Sequence, residues 1–308
     1  MNEIKNILIC GLGAIGSIYA IKIAKNKNYN LKVLVNQERL EKYKKHPLIF
    51  NGKEYSFDYI TNKEKNFVAD LIIIATKNNV LDEVIKQIAP FVHTQTTILS
   101  LLNGLNSEDE LIKHFGKEKV LYSYYIGHTS TRIGRSIEHD GVYKTVFGET
   151  DNTKLSPNVI AVKTLFDKTE IKYEIPKDMN YAKWWKFLVN VGYNQASAVL
   201  NAPYGTFQNN PTSNEIAIKL MEETVAIAKA EGVKHTEKMI PEVLDVIKTM
   251  LPDTRTSMLQ DIDAKRQTEI EVFAGYVSKL GKKHGIQTPY NNVFYSIIKA
   301  IDEKNNIL

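Results

Sequence analysis

The chain has 308 residues, 43% of them hydrophobic and 24% charged, with a formal net charge of +5. That hydrophobic content fills one large core or two ordinary ones, and no stretch approaches the ~20 apolar residues needed to cross a bilayer. Lysines are scattered along the whole chain, which describes a solvated surface rather than a nucleic-acid footprint, although a mildly basic surface favours acidic ligands.

The first residues, MNEIKNILIC, carry an early acid and a broken apolar run, unlike a signal peptide, so the expectation is a soluble, cytoplasmic protein. Strands are predicted at residues 6–10, 31–35, 69–76, 96–102, 120–126, 144–149 and 171–175, alternating with longer polar or helical stretches. This is the pattern of a mostly parallel sheet with helices on its faces. Cys10, the single cysteine, excludes an internal disulfide and reads as a small buried thiol without a catalytic role. LIIIA within 69–76 and ILSLL within 96–102 are apolar on both faces, which places these two strands near the middle of the sheet. From about residue 178 long helical periods take over, at 181–200, 211–231, 237–249 and 261–284. Pro176 and the charges of EIPKD mark the boundary, which gives an α/β domain of residues 1–177 and an all-helical domain of residues 178–308. The seven histidines (46, 93, 114, 128, 139, 235 and 284) show no pairing at metal-ligand spacing, so no metal is expected.

Directly after the first strand comes GLGAIG, with Gly11, Gly13 and Gly16 at the spacing G-x-G-x-x-G, and a helical pattern follows. Gly11 suits the tight turn, Gly13 lets a pyrophosphate approach the backbone, and Gly16 allows close packing of helix on strand. With Ala14 and Ile15 these residues form a candidate dinucleotide cradle at a helix N-terminus. About 20 residues on, where an acid would hold the ribose hydroxyls of NAD, the chain has Asn36. A neutral amide neither chelates both hydroxyls nor repels a phosphate, so NADP is favoured over NAD. Arg39 and Lys77 are candidate phosphate partners or ordinary surface residues. Lys77 and Asn103 both fall just beyond strands, where such sheets bind ligands; Asn103-Gly104 also reads simply as a turn.

WWKFLVNVGYNQ, residues 184–195, holds one charge, Lys186, with Asn190 and Asn194 following within ~80° of arc on a helix. The rest of the segment is apolar, so the helix must be largely buried and the lysine with it. It can reach the surface along its own stem or form a structural ion pair, but the two amides beyond it are costly to bury without a polar ligand and favour a site. On a helix over 261–284, Glu269 would share an apolar stripe with Ile262, Phe273, Tyr276 and Leu280, while Glu271 would be solvated. Lys186 is the expected partner of Glu269, either in a site or as a structural bridge between helices.

These pieces together, GLGAIG, the Lys77 turn, Asn103-Gly104, WKFLVNVGYN at 185–194 and SMLQDIDAKRQTEI at 257–270, resemble the ketopantoate reductase family (2-dehydropantoate 2-reductases) over essentially the full length. The resemblance implies a Rossmann-type doubly wound sheet followed by an all-helical C-terminal domain, with the substrate in the cleft between them. It implies NADPH-dependent reduction of the 2-oxo acid ketopantoate to pantoate, a precursor of coenzyme A. Lys186 would then be the general acid and Glu269 a carboxylate contacting substrate and cofactor. Asn190 and Asn194 would bind substrate hydroxyl or oxo groups, Ser257 its carboxylate, and Asn103 both cofactor and lysine.

A single helix over 257–269 would separate Ser257 from Glu269 by ~18 Å, too far to share so small a ligand. The expectation is therefore that TSMLQ is irregular and that a helix starts near Asp261 as N-cap. Family members often carry an arginine near Asn36, so its absence bears on cofactor choice. Two alternatives stay open: a reductase of another small 2-oxo acid, and a dinucleotide-binding redox sensor without turnover. The helical half also allows a homodimer.

Overall fold

The computed structural model describes residues 3–127, 131–134 and 136–307; His128 lies outside them. The chain divides into two compact units, Met1–Met179 and Asn180–Leu308.

The first unit runs β1 (Asn6–Cys10), α1 (Ala14–Ala24), β2 (Asn30–Leu34), α2 (Gln37–Lys45), β3 (Leu48–Phe50), β4 (Lys53–Tyr55), β5 (Asp58–Ile60), β6 (Leu71–Ile74), α3 (Leu81–Ile88), β7 (Thr97–Ser100), α4 (Ser107–Phe115), β8 (Val120–Gly127), β9 (Thr131–Ile133), β10 (Ser136–Glu138), β11 (Tyr143–Gly148), α5 (Pro157–Lys168) and β12 (Tyr173–Glu174). The main sheet has the order β12-β11-β8-β7-β6-β1-β2-β5 and is parallel except where β8 meets β11. Its central strands are buried on both faces. Ile7, Ile9, Ile73 and Leu99 pack against Ile18, Tyr19 and Ile23 of α1 and Phe166 of α5. Leu8, Ile72, Ile74 and Ile98 pack on the other face against Val84, Ile85 and Ile88 of α3 and Leu111 of α4. Continuous apolar runs rather than alternating ones follow from this double cover, and β6 and β7 lie at the centre as their composition predicts.

All seven predicted strands form, the last reduced to two residues. Five more were not anticipated: β5 extends the main sheet, and β3, β4, β9 and β10 make a second sheet ordered β4-β3-β10-β9. Here β10 runs parallel to β3, and beside this pairing Asn51 Nδ2 donates to His139 O and His139 N–H to Asn51 Oδ1, both at 2.8 Å. Strands of three residues completed by partners so distant in the chain leave no local periodicity to read.

In the second unit α6 (Met179–Val189) passes into a π-helical segment, Asn190–Asn194, and then into α7 (Gln195–Leu200); α8 (Tyr204–Asn209), α9 (Pro211–Ala230), α10 (Met239–Thr249), α11 (Ser257–Asp263), α12 (Ala274–His284) and α13 (Pro289–Ile307) follow. Among the described residues no helix is long and apolar enough to cross a membrane.

Three expectations are corrected here. The residues SMLQ are helical: Thr256 is the N-cap of α11, its Oγ1 accepting the Leu259 N–H at 3.3 Å, so Asp261 lies inside the helix and is not its N-cap. The predicted helix over 261–284 is broken. Lys265 adopts φ 51°, the Lys265 N–H returns to Ile262 O and the Arg266 N–H to Asp261 O at 2.8 Å, a left-handed stop that ends α11. Glu269 therefore precedes a 3₁₀ turn, Ile270–Val272, instead of sitting in a helical stripe. Because α11 stops at Asp263, no continuous helix separates Ser257 from Glu269 and Ser257 stays a candidate.

Candidate active site

In the first unit the candidate residues gather at the carboxyl ends of four adjacent strands, β7, β6, β1 and β2. Gly11 has φ +98°, and a Cβ there would stand 2.6 Å from the Ala75 carbonyl oxygen. At Gly16 a Cβ would stand 1.8 Å from the Gly11 carbonyl oxygen, so the turn and α1 can approach only without side chains. Gly13 differs: nothing lies within 4 Å of its Cβ position, and it caps α1 without a side-chain bond to the first turn. The helix N-terminus begun by Ala14 and Ile15 is thus open above Gly13, which fits the pyrophosphate of a dinucleotide.

Asn36 follows β2 and is the N-cap of α2; its Oδ1 accepts the Arg39 N–H at 2.9 Å. Arg39 and Lys77 are exposed. Asn103, three residues beyond β7, is tied to the loop after β6 because Asn78 Nδ2 donates to its carbonyl oxygen at 2.7 Å. Beneath that loop the buried Glu108 accepts the Ser107 hydroxyl at 2.9 Å and the Ser123 N–H at 3.3 Å, while Ser100 Oγ donates to Ser107 Oγ. Sequence reading missed these supports, and it also missed Thr76 and Asn106. Their Oγ1 and Oδ1 atoms are buried at the same edge with no hydrogen-bond partner among the described residues. Cys10 is buried at the end of β1, and burial pushes its thiol up, away from a reactive thiolate.

In the second unit Lys186 stands in the last turn of α6 and leads into the π segment. The wider π turn is a local insertion of the kind found at functional sites. It places Asn190 and Asn194, 3% and 6% exposed, so that Asn194 Nδ2 donates to Asn190 Oδ1 at 3.0 Å. That bond uses one donor of one amide and one acceptor site of the other. Gly192 in the same segment lets α9 close in, since a Cβ there would meet Met221 Cγ at 2.7 Å.

Lys186 is part-buried, and burial alone lowers its pKa from 10.5 to about 8. The expected ion pair with Glu269 is not formed: among the described residues no carboxylate pairs with Lys186. The segment after Glu269 nevertheless packs on α6, with Phe187 against Phe273 and Tyr276 at ring separations of 6.4 and 6.3 Å. Glu269 itself is part-buried. Ser257, exposed at the first turn of α11, follows Thr256, whose hydroxyl donates to Ser197 Oγ on α7 at 3.1 Å. A part-buried ammonium with no carboxylate partner among the described residues, carried on the segment that continues into two buried amides, can stabilise negative charge on an oxygen and also release a proton near neutral pH.

The doubly wound sheet with its open glycine turn, joined in one chain to a helical unit holding such a lysine, defines a dinucleotide-binding fold of the kind oxidoreductases use. Family models carry the assignment further: the model described as Ketopantoate reductase PanE/ApbA matches residues 7–152, and the one described as Ketopantoate reductase PanE/ApbA C terminal matches residues 178–302. The chain belongs to the ketopantoate reductase family. It is 28% identical to a 2-dehydropantoate 2-reductase of Lactococcus lactis subsp. lactis, covering 96% of this chain and 98% of that one. Among solved structures, D-mandelate dehydrogenase with NADH and anilino(oxo)acetate superposes with a TM-score of 0.85 at 24% identity, over 98% of this chain and 99% of that one. A dimeric ketopantoate reductase from Staphylococcus aureus gives 0.81 at 20% identity, over 97% and 99%. At these identities the structural likenesses speak for the fold.

Proposed function

We propose that the protein is an NADPH-dependent 2-dehydropantoate 2-reductase that reduces ketopantoate to pantoate in the supply of coenzyme A. Residues 1–177 would serve as the dinucleotide domain and residues 178–308 as the substrate domain. The observation that carries this reading is Lys186, an ammonium whose pKa is brought to about 8 by burial, set next to Asn190 and Asn194.

A reduced nicotinamide, when bound, supplies the hydride for the ketone carbon. Gly11, Gly13, Ala14, Ile15 and Gly16 would hold the pyrophosphate, with Asn36, Lys77, Asn103 and Glu269 as further cofactor contacts. Lys186 donates its Nζ proton to the ketone oxygen as negative charge grows there, which leaves a neutral amine and an alcohol. Asn103, Asn190, Asn194 and Ser257 orient the oxo acid through its oxygens, and Glu269 contacts substrate and fixes its approach.

The Asn36 cap bears on the choice of NADP over NAD. Asn36→Asp keeps an oxygen for the Arg39 N–H, so stability should be unchanged, yet it adds a charge that repels a 2′-phosphate and suits ribose hydroxyls. The ratio of kcat/KM with NADPH to that with NADH is expected to fall roughly tenfold or more. An unchanged ratio removes Asn36 from the cofactor site.

The D-mandelate dehydrogenase likeness favours a second reading, reduction of a different small 2-oxo acid. Following the loss of NADPH and of NADH against a panel of 2-oxo acids separates the two. Turnover with ketopantoate is expected; turnover only with another acid selects the second reading, and cofactor binding without any turnover leaves a sensor and ends both. The dimeric S. aureus neighbour supports a homodimer, as do the exposed Tyr290, Val293 and Ile297 along α13.

A further inference from the structure

No regular helix holds Glu269, because α11 ends at Asp263 and the 3₁₀ turn begins only at Ile270. Its backbone is fixed instead through the residue before it. Thr268 is buried, its N–H donates to both carboxylate oxygens of Asp302 at 3.1 and 3.3 Å, and its hydroxyl donates to Oδ2 at 2.7 Å. Asp302, on α13, is only 4% exposed. A buried carboxylate that receives several bonds from one residue sets the direction of the peptide on either side of it.

The other end of α13 is clamped as well. Glu223 of α9 accepts the Tyr290 and Asn291 N–H groups and Asn291 Nδ2 at 2.8, 3.0 and 2.7 Å. Gln195 Nε2 in turn donates to Asn291 Oδ1 at 3.2 Å and to Val191 O, inside the π segment, at 2.7 Å. One helix is thus bonded at its start to the segment carrying Asn190 and Asn194, and near its end to the residue preceding Glu269.

We propose that Asp302 is a positioning residue for Glu269, acting through Thr268, and that α13 holds the two parts of the second unit's site in register. This rests on the reading of Glu269 as a substrate-contacting carboxylate. In the full-length protein, Asp302→Asn replaces one acceptor of the clamp by a donor. The expected result is a fall in kcat/KM for ketopantoate of about 10- to 100-fold, together with whatever change in the KM for NADPH Glu269→Gln itself produces and no more. Thr268→Val, which removes the hydroxyl, should behave likewise, and Thr268→Ser, which restores it, should return to wild-type kinetics. Combined with Glu269→Gln, Asp302→Asn should add no further loss, because the clamp has nothing left to position.

Wild-type kinetics in Asp302→Asn, or losses that multiply in the double variant, overturn the proposal. Should Asp302→Asn not fold, the Thr268→Val and Thr268→Ser pair decides by the same comparison. A Glu269→Gln variant with wild-type kinetics ends the reading of Glu269 and this inference together, whereas an impaired Glu269→Gln beside an unimpaired Asp302→Asn ends this inference alone.

Discussion

On the proposed reading, Lys186→Ala is expected to lower kcat for ketopantoate reduction by about 10²- to 10⁴-fold and to leave the affinity for NADPH unchanged. The size follows from losing both functions proposed for the ammonium, charge stabilisation at the ketone oxygen and delivery of the proton, while the glycine turn of the first unit is untouched. The same group is expected to set the pH dependence. A general acid works only while protonated, so the rate should be flat below the Lys186 pKa of about 8 and fall about tenfold per pH unit above it. An unchanged kcat in Lys186→Ala, or a wild-type profile still flat at pH 10, removes the lysine from the proton transfer.

Stability moves the opposite way. The folded lysine has the lower pKa, so between about 8 and 10.5 the unfolded chain binds more protons than the folded one. The penalty for burying this charge is complete below about 8 and is relieved as pH rises through that window. Lys186→Met keeps the length of the side chain and removes the charge, and it should raise Tm near pH 7 even as it abolishes turnover. A lower Tm would mean that the ammonium is held by favourable contacts and not tuned by burial.

Gly16→Ala and Gly13→Ala, three residues apart in one turn, are expected to fail in different assays. A methyl at Gly16 would overlap the Gly11 carbonyl oxygen, a backbone atom that no rotamer change can move, so the loss of stability should reach about 3 kcal/mol or more. At Gly13 the methyl meets open space, and the backbone there, φ −78°, suits any residue. Stability should therefore change by about 1 kcal/mol or less, as for an N-cap exchange. Affinity for NADPH should instead weaken roughly tenfold or more, because the methyl occupies the approach of the pyrophosphate. Thermal unfolding together with cofactor titration tests both; a Gly13→Ala protein that binds NADPH like wild type moves the cofactor away from this turn.

The main sheet could be read from residues because burial on both faces makes LIII wholly apolar and puts Ile98 and Leu99 at the centre of TILS, and such runs announce central strands. Gly11 and Gly16 were equally legible, since their need is steric and local. Lys186, Asn190 and Asn194 stood out because polar residues in an apolar helical run are costly without a purpose. Other features left no such trace. Between Ser257 and Ala274 there is no glycine or proline, so the periodicity suggests one long helix, and the stop at Lys265 depends on a left-handed conformation that a lysine adopts only under tertiary constraint. The same break sets where Glu269 lies in the chain, and among the described residues no ion pair joins it to Lys186.

By itself, then, the amino-acid order determined the layered first half, its glycine turn, the helical second half and the polar side chains proposed for the site, all of which rest on interactions within a few residues or on simple burial. The folded chain decided the second sheet of β3, β4, β9 and β10, the π turn, the end of α11 and the Asp302–Thr268 clamp. Each of these is made by bonds between residues far apart in sequence, and only the packed molecule brings such partners within reach.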